Sequence, residues 1–422
     1  MSDSYILIGF ASAFSLTTYF YYYKTKAFNI GVLLLMFYSI CAWGAVAFHE
    51  HELFYMEYGY QGYSVKAFIY LYLVIILFML PILIYKTNEI KRAELLDNSF
   101  TLKFIKVLLI IQLALYVIIF PYVFNAIASS SIGDYRDELY DTTEVVKFPN
   151  YFFNMLCRLY MGARNVLIII ACYSLLFIKT NRKLIITFFI TTWLFPIYIF
   201  TAYASRAVMM QQLMLSFFFI VLLSPFILRK AKKMIYMVLG IVTVPIIVIF
   251  NIISQSRFGN LATYYLYRYW GESFNNYNAQ LFPDLKGNTW GSAYLTFFSK
   301  LFYGTRNFST TEEKWAYLDN VTGIDTHIFY SFVGGLNIEF GFILTVVIGI
   351  FLSLFIIKKL RPYDTLTLPK FILLGMLGYT LINGAFFFVL QGDWGNLEIL
   401  FTIVLYWLFK KHSTHKYIYR KV

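Results

Sequence analysis

The chain has 422 residues, of which 60% are hydrophobic, 21% aromatic and 14% charged, with a formal charge of +13. A soluble domain carries about a quarter charged residues, so this composition excludes an ordinary soluble protein. The cations lie scattered between apolar runs rather than gathered on one polar domain, which argues against a nucleic-acid partner.

Eleven runs are long and apolar enough to cross a hydrocarbon core as helices. In chain order they fall near residues 4–23, 28–48, 65–85, 104–124, 158–178, 184–204, 207–228, 234–253, 334–357, 369–390 and 395–409. None shows the alternating dyad pattern of a β-barrel strand, so the expected fold class is an all-α polytopic membrane protein with about 11 transmembrane helices. The first run lacks a basic leading region and a small-residue cleavage site, and reads as a span rather than a signal peptide. Residues 1–422 form a single integral membrane domain in this reading. Residues 254–333 make one large outer loop between spans 8 and 9. Cys41, Cys157 and Cys172 lie in or at the ends of apolar runs and read as small buried hydrophobes.

Charge sets the orientation. The loops at residues 24–26, 86–106, 179–183, 229–233, 358–370 and 410–421 hold 23 of the 35 cations and only four acids. The positive-inside rule places those loops in the cytoplasm, with the N-terminus outside and the C-terminus inside. An odd number of spans is then required, and eleven satisfies it. The cytoplasmic loops are short, and no Walker-type phosphate loop occurs.

The other side keeps twelve cations. Residues 49–64 contain the compact His49-Glu50-His51-Glu52 cluster, which has no established metal-ligand spacing, so no metal or cofactor is expected. The acidic stretch 125–157 contains Arg136. Arg158 and Arg164 lie one to two turns into the fifth span; Arg158 can snorkel to the interface, whereas Arg164 lies deeper. Arg206 occupies a tight turn, Ala204-Ser205-Arg206-Ala207. The large loop interleaves Arg257, Arg268, Lys286, Lys300, Arg306 and Lys314 with acids including Glu272, Asp319 and Asp325, and with many Tyr and Trp residues. This suits an aromatic belt with an interfacial helix, or a saccharide surface. His327 lies where the loop re-enters the membrane, two residues after Asp325, and an imidazole there can take a proton from a hydroxyl or bind phosphate. Glu339 falls inside the next span and should turn inward toward a cation such as Arg206 or Arg257. Arginines gathered at outer helix ends suit a polyanion at headgroup depth, because guanidinium binds phosphate in bidentate fashion.

The span plan resembles that of the bacterial Wzy-type polymerases of lipid-linked oligosaccharide repeat units. So do the arginine at the tight turn 204–207, the segment Ser256-Arg257-Phe258-Gly259 opening the large loop, and the exit through Glu339-Phe340-Gly341. The resemblance implies an enzyme of the bacterial inner membrane that joins undecaprenyl-pyrophosphate-linked oligosaccharide units into O-antigen, capsule or exopolysaccharide at the outer leaflet. It implies metal-independent catalysis by His327, Arg206 and Arg257. Arg136, Arg158, Arg164, Arg268, Glu272, Arg306, Asp325 and Glu339 would bind substrate. Membrane lipid, a chain-length regulator and a flippase are the implied partners. Three other readings stay open: an O-antigen-type ligase, a GT-C glycosyltransferase using Glu50 and Glu52, and a flippase or transporter of the lipid-linked saccharide.

Overall fold

The computed structural model describes residues 2–58, 62–128, 150–202, 207–228, 259–304 and 311–419, with scattered positions between 232 and 248. The first half of the chain forms α1 (Ser2–Thr25), α2 (Ile30–His49), α3 (Glu52–Tyr58), α4 (Val65–Ile84), α5 (Ser99–Ala128), α6 (Tyr151–Phe177), α7 (Arg182–Ala202) and α8 (Ala207–Leu223). The second half forms α9 (Ala262–Asn276), α10 (Thr296–Tyr303), α11 (Thr311–Thr322), α12 (Ser331–Leu360), α13 (Leu368–Gly384) and α14 (Gly392–Lys411).

Among the described residues, six helices are long and apolar enough to cross a membrane: α2, α4, α5, α6, α7 and α12. The helices α8 and α13 are apolar but shorter. Positions 4–23 and 395–409 are helical, but α1 and α14 are not among the six. The eighth expected span, 234–253, lies largely outside the described residues. The protein is thus a helical membrane protein. Its outward faces bear the apolar side chains that lipid requires: Val117 is 75% exposed, Ile343 83% and Phe351 71%.

One end of the bundle is tied by a small sheet. Strand β1 (Arg92–Glu94) pairs in parallel with β2 (Thr365–Leu366) and antiparallel with β3 (Tyr417–Tyr419). Buried Glu94 accepts bonds from Ser413 Oγ and from Thr414 N at 2.7 Å. Asp97 Oδ1 accepts from Lys179 N at 3.0 Å and Thr180 Oγ1 at 2.8 Å. Four of the basic loops expected on one side therefore meet at one end. His412 packs on Phe100 with ring centroids 3.8 Å apart, and the His415 N–H donates toward Glu94, so the tail is docked there.

The loop expected at 254–333 is not a simple excursion. Helix α9 exposes Tyr267 and Tyr269 in its first half, where Tyr264 is buried, and residues 271–278 are all buried. A Cβ on Gly271 would lie 2.3 Å from Ala45 Cα, and one on Gly44 would lie 2.7 Å from Trp270 Cβ. The two glycines let the backbones of α9 and α2 touch, as small residues do in membrane helix pairs. Asn275 Nδ2 then donates to Ala45 O at 3.2 Å, and Phe274 meets Phe10 edge-on at 5.4 Å. The expected interfacial helix is thus half inserted into the protein.

Helix α12 has two parts. Gly341 has φ 73° and ψ 176°, outside the helical region, and breaks the helix. The break frees carbonyls that the loop at 289–290 takes up: Thr289 N donates to Ile338 O and Trp290 N to Glu339 O, both at 3.0 Å. Residues 331–339 are buried on every side, whereas 343–355 carry an exposed apolar stripe. The second part carries the lipid-compatible apolar surface; the first holds up the site described next.

Candidate functional site

A cavity of about 450 Å³ opens at the start of α12, bordered by α11 and by the connection from α13 to α14. Lys314, Trp315, His327, Tyr330, Ser331 and Gln391 supply its polar and aromatic lining, above a floor of Phe387 and Phe388. Helix α12 runs from this cavity to the basic end of the bundle, where β2 follows it, so cavity and sheet lie at opposite ends.

Local sequence explains the placement. Helix α11 ends at Gly323, whose φ of 75° permits the left-handed turn, with Gly323 N bonded to Asp319 O at 2.8 Å. The turn folds residues 325–327 back over α11. Asp319 Oδ1 then accepts from Thr326 N at 2.8 Å and Thr326 Oγ1 at 2.7 Å. Asp325 Oδ1 accepts from His327 N at 2.8 Å. The His327 ring packs on Trp315, centroids 4.1 Å apart, and its Nε2 lies 3.6 Å from Asp319 Oδ2. Tyr330 Oη donates to Asp325 O at 2.6 Å.

Beneath the cavity, Glu339 is fully buried and holds the loop that forms one wall. Its Oε2 accepts from Thr289 Oγ1 and Gly291 N, each at 2.6 Å. Its Oε1 accepts from Tyr294 N and from Leu295 N, the latter at 3.0 Å. A carboxylate with four donors needs no neighbouring cation to be stable when buried. Lys314 nevertheless feels it. Burial pulls the Lys314 ammonium below the usual lysine range, and the carboxylates of Glu339 and Asp393 oppose that shift. Among the described residues no carboxylate lies within ion-pair distance of Lys314. Asp393 is held by Lys300 at 3.1 Å and by Thr296 Oγ1 at 2.7 Å.

Of the residues singled out in the sequence, His327 and Asp325 come together at the cavity rim and Glu339 lies under it. Arg268 and Glu272 pair with each other on α9 at 3.1 Å, and the guanidinium also sits 5.8 Å from the Tyr265 ring centre. Arg158 is exposed near the start of α6, within electrostatic reach of Asp393. Arg164 is half-buried and interacts with Tyr379 of α13 and Glu398 of α14. Arg136, Arg206, Arg257 and Arg306 lie outside the described residues. At the histidine-glutamate cluster, His49 is buried against Phe54 and Tyr63, while His51 packs on Tyr264. Glu50 accepts from Ser4 Oγ at 2.5 Å, a bond that lowers its pKa. His49 Nδ1 also lies 3.2 Å from Glu50 Oε1, but among the described residues no three side chains of this cluster come together as a set of metal ligands.

Ser331 and Gln391 were not singled out in the sequence. Ser331 has φ 65°, rare for a non-glycine residue, and its N–H bonds to Phe386 O at 3.2 Å. Only the fold brings residues 331 and 391 together, through the return of α13. Comparisons with protein-family models, curated proteins and solved structures return no match.

Proposed function

We propose that this chain is a membrane glycosyltransferase that joins undecaprenyl-pyrophosphate-linked oligosaccharide repeat units into a surface polysaccharide. In this reading the chain crosses the bacterial inner membrane eleven times, with its N-terminus outside and its C-terminus in the cytoplasm. The observation that carries the proposal is the cavity. It combines an ammonium without an ion-pair partner among the described residues (Lys314), an imidazole (His327) and an indole (Trp315), at the bundle end opposite the basic loops.

Each group has a task in glycosyl transfer. The Trp315 face and the phenol of Tyr294 suit the C–H faces of sugar rings. His327, polarised by Asp319, accepts the proton of the attacking sugar hydroxyl. Lys314 stabilises the negative charge that grows on the departing pyrophosphate. Arg206 and Arg257 remain proposed partners for the same anion, and Arg136 and Arg306 for the saccharide. Glu339 acts indirectly, by fixing the 289–295 wall. A chain-length regulator and a flippase are the proposed protein partners.

Reconstitution tests this. Protein in liposomes, given only the lipid-pyrophosphate repeat unit, should produce a ladder of longer glycans. No ladder, but a single transfer once a different acceptor is added, would identify a ligase. Movement across the bilayer without bond formation would identify a flippase. Either result overturns the proposal.

A further inference from the structure

The carboxylates of Asp319 and Asp325 and the imidazole of His327 present three ligand atoms that all lie within 4.8 Å of one another. His327 Nε2 and Asp319 Oδ2 are 3.6 Å apart. A tetrahedral cation with bonds of about 2.1 Å separates its ligands by about 3.4 Å, so this pair already stands at the spacing that a shared ion requires. Asp325 is exposed, and its ligand oxygen stands within 4.8 Å of the other two, so sharing an ion requires its side chain to move inward.

The charges point the same way. Two carboxylates sit side by side, and among the described residues neither has a lysine or arginine within ion-pair distance. The His327 imidazole is the side chain that approaches Asp319. Packing against Trp315 holds that ring with Nε2 toward Asp319. An independent feature marks the adjoining cavity as a place for a ligand. Ser331 is 1% exposed and lines the cavity that His327 borders, and among the described residues its Oγ has no hydrogen-bond partner. A buried hydroxyl left without a partner is costly unless a bound group satisfies it.

We infer that Asp319, Asp325 and His327 hold a divalent transition-metal cation at the cavity rim, with a remaining coordination position open toward the cavity. Two carboxylates and one imidazole form a mixed oxygen and nitrogen set that suits Zn²⁺ or Mn²⁺. The site departs from the metal-free expectation drawn from the sequence, where attention fell on His49 to Glu52. The inference rests on the cavity geometry and not on the polymerase reading; with an ion bound, His327 would serve as its ligand, and the ion would take over from the imidazole the activation of the attacking hydroxyl.

Binding of Zn²⁺ alone tests it. The full chain, purified in detergent and stripped with EDTA, is titrated calorimetrically with zinc chloride. One equivalent should bind. Asp319→Asn and His327→Ala should each weaken binding by at least about tenfold, while His412→Ala, at the opposite end of the bundle, should leave it unchanged. Asparagine keeps the acceptor for Thr326, so the turn should persist. Melting curves of the stripped variants that match the parent's would show it. A rise in melting temperature with added zinc, present in the parent and absent in Asp319→Asn, is a second readout. No binding, or equal binding by parent and both variants, overturns the inference. Zinc binding by a protein that forms no glycan ladder supports this site and removes the polymerase reading, so the two fail separately.

Discussion

Glu339 Oε2 and Thr289 Oγ1 lie 2.6 Å apart, joining the buried start of α12 to the loop that walls the cavity. The bond is one of four that the carboxylate accepts from residues 289–295. A buried carboxylate near the start of a long apolar helix here serves as the anchor of the neighbouring loop.

Removing that anchor should therefore loosen the site before it alters any chemistry. Glu339→Ala orphans several buried donors, and orphaned donors cost about 1–3 kcal/mol each. We expect a marked drop in melting temperature and in folded yield, with Glu339→Gln clearly milder because one acceptor oxygen remains. A Glu339→Ala protein that melts with the parent would refute the anchoring role.

Lys314 gives a pH prediction whose sign follows from its depressed pKa. Between the folded value and the ordinary 10.5, the unfolded chain binds more protons than the folded one. This group's contribution to stability therefore rises with pH across that window. Anion binding runs the other way: the ammonium, and any anion it holds, is lost as pH rises through the lowered pKa. Lys314→Arg keeps its charge at all these values. Substrate KM should rise on the alkaline side in the parent and stay flatter in the arginine variant. Superimposable profiles would remove Lys314 from the anion site.

The contact between α9 and α2 has no room for a side chain. Gly271→Leu would drive a Cβ into the Ala45 backbone, where 2.3 Å is available. Folded yield should collapse. Gly62→Ala is the comparison, because no described residue lies within 4 Å of its added Cβ, and it should leave yield near the parent's. Normal yield from Gly271→Leu would mean that α9 does not insert.

Arg164 and Glu398 interact in the interior between α6 and α14. The two are not in ion-pair contact, so the coupling acts across a gap: removing one leaves the other buried without its opposite charge, whereas replacing both with apolar groups removes that burial cost. Arg164→Met and Glu398→Leu should each destabilise strongly, and the double variant should recover most of the loss in chemical unfolding. Additive losses would show that the two charges act separately.

Much of the fold is legible in the chain because lipid makes a strict demand. Apolar runs must be helical, and basic loops cluster, so the positions of α2, α4 to α7 and α12 follow from hydropathy. Lys179, Glu94 and Thr414 do meet at one end, as charge counting requires. The partial insertion of α9 is not legible, because the aromatic run Tyr264 to Trp270 carries the same pattern whether it lies in an interface or against protein. Gly44 and Gly271 decide the matter, and they are 227 positions apart. The sheet is invisible for a related reason. Its strands are two or three residues long and come from three distant loops. His327 and Asp325 were found through their spacing, but Asp319 joins them only through the left-handed turn at Gly323. Ser331 and Gln391 carry no local signal.

The account centres on glycan transfer in the cavity beneath Lys314 and His327, and the most direct measurement is product length. Parent, Lys314→Ala and His327→Ala proteins, matched for abundance in liposomes, are given the lipid-pyrophosphate repeat unit as sole substrate. The parent should yield a ladder. His327→Ala should slow its formation by about a hundredfold. Lys314→Ala should slow it by about tenfold or more. No ladder from the parent, or full ladders from both variants, would contradict the account.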